Sequence, residues 1–155
     1  MVLLAHEYKP EAAACFAHAA EINPNDDRWH YLRGNAVVST DPDVAIESIA
    51  TAVNVSGDRH PYYRLVLVDI LLEQGRLAEA DSQLQTYLHL GQQPDRARAR
   101  HAKARLLFMQ GRFRECHDEI TSFLRDTAQE YNKAIAKANE LAKSDKQAAS
   151  ALVRS

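Results

Sequence analysis

Leu71-Leu72-Glu73-Gln74-Gly75-Arg76-Leu77-Ala78-Glu79-Ala80 and, 36 positions later, Leu107-Phe108-Met109-Gln110-Gly111-Arg112-Phe113-Arg114-Glu115-Cys116 are two versions of one segment. Each reads as an apolar helix end, a Gln-Gly-Arg turn and the start of a second helix. Glycine adopts the left-handed conformation at little cost, so Gly75 and Gly111 are natural helix terminators. A turn that recurs at a fixed distance with its flanking helices intact is the mark of a repeat, and the rest of the chain follows from it.

Working outward, Ala12, Ala45, Ala80 and Cys116 form a ladder of small residues with spacings of 33, 35 and 36. Four residues beyond each rung come Phe16, Ile49, Leu84 and Ile120, and three beyond those come Ala19, Ala52, Tyr87 and Phe123. Positions i, i+4 and i+7 share one face of an α-helix, so all four rungs are expected in the core. Small residues at the crossing allow helix axes to approach within about 8 to 10 Å. Upstream of the later rungs lie the helix-period sets Trp29, Leu32, Ala36 and Val37, then Tyr63, Val66, Leu67, Ile70 and Leu71, then Ala99, Ala102, Leu106 and Leu107.

In the first full pair the glycine turn is replaced by Asp41-Pro42-Asp43, where Asp41 is placed to cap a helix with Pro42 at its first position. Breaks between pairs fall at Asn23 to Asp26, Ser56 to Asp58 with Pro61, and Gly91 to Pro94. No period-two alternation appears. The sequence therefore predicts helices over about 10–22, 27–40, 43–55, 61–74, 77–90, 95–110 and 113–126. Met1 to Ala5 resembles the last turn of a preceding helix, as expected if the chain is a piece of a longer protein.

Ala12 to Pro24, with its terminal Asn-Pro, and the two Gln-Gly-Arg segments resemble the tetratricopeptide repeat family. The resemblance covers residues 1–126 as half a repeat followed by repeats at about 27–57, 58–93 and 94–126. It departs from the family in the missing turn glycine and shortened period of the first full repeat, the long periods of the last two, and Cys116 in place of the small alanine. It implies an all-α fold, a right-handed α-solenoid of stacked antiparallel helix pairs, closed by a C-terminal capping or extension helix over 127–155. It also implies a concave groove lined by the first helix of each repeat. Carried across, the groove positions are Arg28, Tyr31, Asn35 and Val38; Tyr62, Leu65, Asp69 and Leu72; and Arg98, His101, Arg105 and Phe108. Val38, Leu65 and Leu72 have an equally good reading as core. The family's chaperone-tail subclass is disfavoured, because Tyr31 and Ala102 stand where it needs basic residues.

The 155 residues are 46% hydrophobic and 26% charged with a net charge of -2, which fits one globular domain and excludes a disordered or collagen-like chain. The longest apolar run, about Leu65 to Leu72, is cut by Asp69 and is far shorter than the ~20 residues of a membrane span, so no membrane role is expected. Two cysteines a hundred positions apart give no sign of an oxidising compartment, and the cytoplasm is favoured. Five scattered glycines exclude a phosphate-cradling loop. No nucleophile elbow or paired-cysteine motif is present, and neither Cys15 with His18 nor Cys116 with His117 completes a metal site. No catalysis, cofactor or metal is expected.

From Pro94 through Arg114 seven Lys or Arg stand against one acid, Asp95, whereas the remaining chain holds 12 basic and 20 acidic residues. Such asymmetry suits an acidic peptide. Nucleic acid is disfavoured, since the patch lacks interleaved aromatics. The function expected is a non-catalytic scaffold binding a peptide or protein segment in the concave groove. The alternative is a structural module that self-assembles into a homo-oligomer through its terminal helices or charged ends. Beyond the last repeat, Leu124, Ala128, Tyr131, Ile135, Ala138 and Ala142 form a narrow apolar stripe resuming at Ala149 and Leu152. Residues 127–142 are expected to pack as a cap on the last repeat through Tyr131 and Ile135, the tail fraying. A continuous extension that swaps onto another copy is the second reading.

Overall fold

A computed structural model describes residues 9–90 and 95–154, with side chains over 10–90 and 95–142. The expected helix end at Met1 to Ala5, the break at Gly91 to Pro94 and the side chains of Ala149 and Leu152 lie outside these residues. Among the described residues the chain is all-α: α1 (Lys9–Ile22), α2 (Asp27–Val37), α3 (Pro42–Ser56), α4 (Tyr62–Glu73), α5 (Leu77–Leu88), α6 (Arg96–Met109) and α7 (Phe113–Arg154), with a single 3-10 turn at Gly57–Arg59. None of these helices is long and apolar enough to cross a membrane.

Local chemistry accounts for the breaks. The Asp41 side chain accepts the Val44 amide with Pro42 in the first turn of α3. Asp26 and Asp95 likewise accept the amides of Arg28 and Arg98 at the starts of α2 and α6. Gly75 and Gly111 take φ of 70° and 74°. At each turn the arginine amide after the glycine reaches back to a carbonyl five residues earlier, Arg76 to Leu71 and Arg112 to Leu107, both at 2.9 Å. The same arginines then grip the following turn, Arg76 on Glu79 and Arg112 on Glu115.

Every helix packs on its neighbours in the chain, and α4 also touches α6. A large apolar core runs through α3, α4, α5 and α6, with smaller clusters at α1 to α2 and at α6 to α7. The first three rungs are closed: Ala12, Phe16, Ala45, Ile49, Ala52, Ala80, Leu84 and Tyr87 are all buried, and Ala19 is half-buried. Gly34 explains how α2 lies so close to α3, since a Cβ there would stand 2.6 Å from Ile49.

The fourth rung departs from expectation. Cys116 is buried, but Ile120 is 45% exposed and Phe123 only half-buried, because among the described residues no other helix covers them. The expected cap is also absent. Residues 127–142 continue α7 without a break, and Tyr131 and Ile135 are exposed rather than packed on the last repeat. The backbone of α7 is helical as far as Arg154. A helix needs a turn to fold back on its own repeat, and Phe113 to Ser155 contains neither Gly nor Pro to make one.

Candidate functional site

The first helices α2, α4 and α6 are joined along one face by their side chains. Tyr31 of α2 stacks on Tyr63 of α4 with centroids 4.3 Å apart and meets Tyr62 edge-on at 5.6 Å. His60 lies against both tyrosines of α4. Tyr63 is buried and Tyr62 is at the surface, so this aromatic ledge is anchored at one edge and wet at the other. Burial, with hydrogen bonding to Tyr62 and the Asp27 carboxylate nearby, pushes the Tyr63 phenol far above its usual range and keeps it neutral.

Further along the face, Asp69 of α4 receives Arg98 of α6 through Nε at 3.0 Å and Nη2 at 2.7 Å. Arg105, two turns on, reaches its other oxygen at 3.5 Å. Two guanidiniums thus share one carboxylate, all three groups being only partly buried. His101 lies between the arginines on α6 and is exposed.

Phe108 is 62% exposed and meets Phe113 edge-on across the Gly111 turn. Beside it a trough of about 530 Å³ opens between α6 and α7, lined chiefly by His101, Ala104, Arg105, Phe108, Ile120, Phe123 and Leu124. Its floor is fixed by Arg100, whose guanidinium bonds Glu119 and Asp126 at 2.6 Å each and lies 5.3 Å over the Phe123 ring. Burial works to raise the Glu119 pKa, but hydrogen bonds from Lys103 and Arg100 outweigh it and hold the carboxyl below its ordinary value.

Of the expected groove residues, the structure brings Tyr31 and Tyr62 together, and likewise Asp69, Arg98 and Arg105; His101, Arg105 and Phe108 share the trough. Arg28 is not among them. Its guanidinium turns back to Asp26, at 2.6 Å, and lies over Trp29; that hydrogen bond lowers the Asp26 pKa to about 2. Asn35 donates to the Tyr31 carbonyl of its own helix at 2.9 Å. Leu65 and Leu72 are fully buried core, and Val38 is half-buried.

Tyr63, His60, Arg100 and the α7 wall of the trough, Ile120, Phe123 and Leu124, were not among the expected site residues. Tyr63 was legible as an apolar helix position, but its pairing with Tyr31 spans 32 residues and needs the crossing of α2 and α4. The basic stretch is also less free than its composition suggests. Arg96, Arg98, Arg100, Lys103, Arg105 and Arg112 face four carboxylates, Asp69, Glu115, Glu119 and Asp126. Among the described residues no three His, Cys, Asp or Glu side chains converge on a metal-sized site. No protein-family model matches the chain, and no curated protein shows significant similarity to it.

Proposed function

We propose that the chain is a non-catalytic scaffold of the tetratricopeptide kind, a right-handed solenoid of stacked antiparallel helix pairs that holds an acidic peptide or protein segment along the face shared by α2, α4 and α6. The solenoid reading is supported by phased ladders and by helices that pack on near neighbours in the chain. The binding reading rests above all on the two-to-one stoichiometry at Asp69. Arg98 and Arg105 together carry one more positive charge than Asp69 cancels, at a partly exposed position beside His101. A carboxylate from a partner completes that set, while Tyr62 and Phe108 offer apolar contact on either side. A protein segment fits better than nucleic acid because most of the cations face carboxylates and the tyrosines stack on one another.

Anisotropy of a labelled Asp- and Glu-rich peptide carrying one aromatic residue tests the reading. Arg98→Gln with Arg105→Gln is expected to weaken binding about tenfold or more at low salt, chiefly through the association rate, with the two proteins converging as salt rises. Asp69→Asn, which uncovers both guanidiniums, is expected to tighten it. Binding indifferent to both changes and to salt would overturn the assignment.

A further inference from the structure

The trough between α6 and α7 is a vacancy of a particular shape. At the preceding rung the equivalent surface, Leu84 and Tyr87 of α5, is covered by α6, whose Ala99 and Ala102 belong to the same core and whose capping residue Asp95 donates its amide to the Tyr87 hydroxyl. What fits beside Ile120 and Phe123 is therefore a further helix with small and apolar residues on one face. The chain carries such a helix in its own C-terminal half. Phe113, Ile120, Leu124, Tyr131 and Ile135 fall within about 60° of arc on α7, with Ala128 and Ala138 on the same side. Beyond Leu124 this stripe is left uncovered among the described residues, for Tyr131 and Ile135 are 67% and 42% exposed, as is Leu141 beside it at 58%. Because α7 is unbroken, its distal half cannot turn back into its own trough.

We propose that a second copy of this chain supplies the missing helix, the distal α7 of each copy lying in the α6–α7 trough of the other about a two-fold axis. The pairing is isologous, so one operation covers both open surfaces on both molecules and closes without leaving ends for growth. Its size is sufficient. The exposed apolar side chains between Phe108 and Leu141 present together on the order of 800 Å², about one partner's share of a standard stable interface. This inference does not rest on the peptide reading, whose deciding contact is the Arg98–Asp69 pair, but His101, Arg105 and Phe108 line both surfaces, so a second copy and a peptide compete there.

The test is the solution mass of the full chain by light scattering across about 1 to 100 μM. The expected result is a concentration-dependent rise from 17.4 kDa to twice that mass and no further. Tyr131→Asp with Ile135→Asp alters side chains that stand clear of the repeats, so helicity is retained while dimerisation weakens about 100-fold or more. Met109→Lys, on the α6 side of the trough, weakens it as well, which a simple pairing of two α7 helices would not require. A monomer throughout, a dimer untouched by the Tyr131 and Ile135 changes, a dimer indifferent to Met109→Lys, or a mass that grows without limit would each overturn the proposal. Peptide affinity, read on dilute Tyr131→Asp, Ile135→Asp protein so that no second copy covers Arg105 and Phe108, stays dependent on Arg98 and Arg105 whichever result is obtained.

Discussion

Two rungs of the same ladder have opposite fates. Ala80, Leu84 and Tyr87 on α5 are completely buried, whereas their counterparts Cys116, Ile120 and Phe123 on α7 sit buried, exposed and half-buried. The helix period is identical and the residue types are similar. What differs is that α6 covers α5, while among the described residues no helix covers the same face of α7, which runs unbroken to Arg154. Periodicity selects the face a residue occupies; a neighbour decides whether that face leaves water. The apolar pattern is therefore a core at one end of the molecule and an uncovered face at the other.

The sharpest way to break this comparison is a pair of truncations at equivalent positions. Leu84→Ala is expected to cost about 3 kcal/mol in urea unfolding, and Ile120→Ala under about 1 kcal/mol, because only the first leaves a cavity. Similar costs would mean that the end rung is covered after all. Somewhat smaller is Ala80→Leu, which crowds a closed crossing and should lower stability by about 1 to 3 kcal/mol. An unchanged melting temperature would remove Ala80 from that crossing.

Next in size is the ion cluster that holds α7 onto α6. Glu119 has its pKa lowered in the folded chain, so its contribution is present above the ordinary value of 4.5 and is lost as pH falls through the depressed one. Glu119→Gln should therefore cost about 2 kcal/mol at neutral pH. The gap between variant and parent should close on acidification below the normal carboxylate range. A pH-independent gap would show that lost packing, rather than lost charge, causes it. The smallest effect is expected from ending the chain after Thr127. In dilute, monomeric protein this should change unfolding free energy by less than about 0.5 kcal/mol, because the apolar side chains of the distal helix are exposed among the described residues. A large loss would restore the capping role expected from sequence.

The first six helices were legible to within a few residues because their limits are set by local chemistry, such as Asp41 before Pro42 and glycine at 75 and 111, whereas α7, which has no such stop, runs past its expected end at 126. The closed rungs were legible for a related reason, since small and large residues at i and i+4 mark a crossing whatever lies beyond. Less could be read of the site. The family resemblance places Asp69 and Arg98 on one groove face, but their ion pair joins residues 29 apart and depends on how α4 crosses α6. The same holds for Arg100, which composition counts as one more surface cation and the fold places between Glu119 and Asp126. Ile120, Tyr131 and Ile135 were read as covered because an apolar stripe looks the same in sequence with or without a partner.

The central functional claim, that an acidic segment lies across α2, α4 and α6, is tested most directly by mapping amide chemical shifts of the labelled chain while the acidic peptide is added. The account predicts perturbations that cluster at Tyr31, Tyr62, Asp69, Arg98, His101 and Arg105 and that vanish in the Arg98→Gln, Arg105→Gln protein. Shifts confined to the distal half of α7, or to the outer helices α3 and α5, would contradict it.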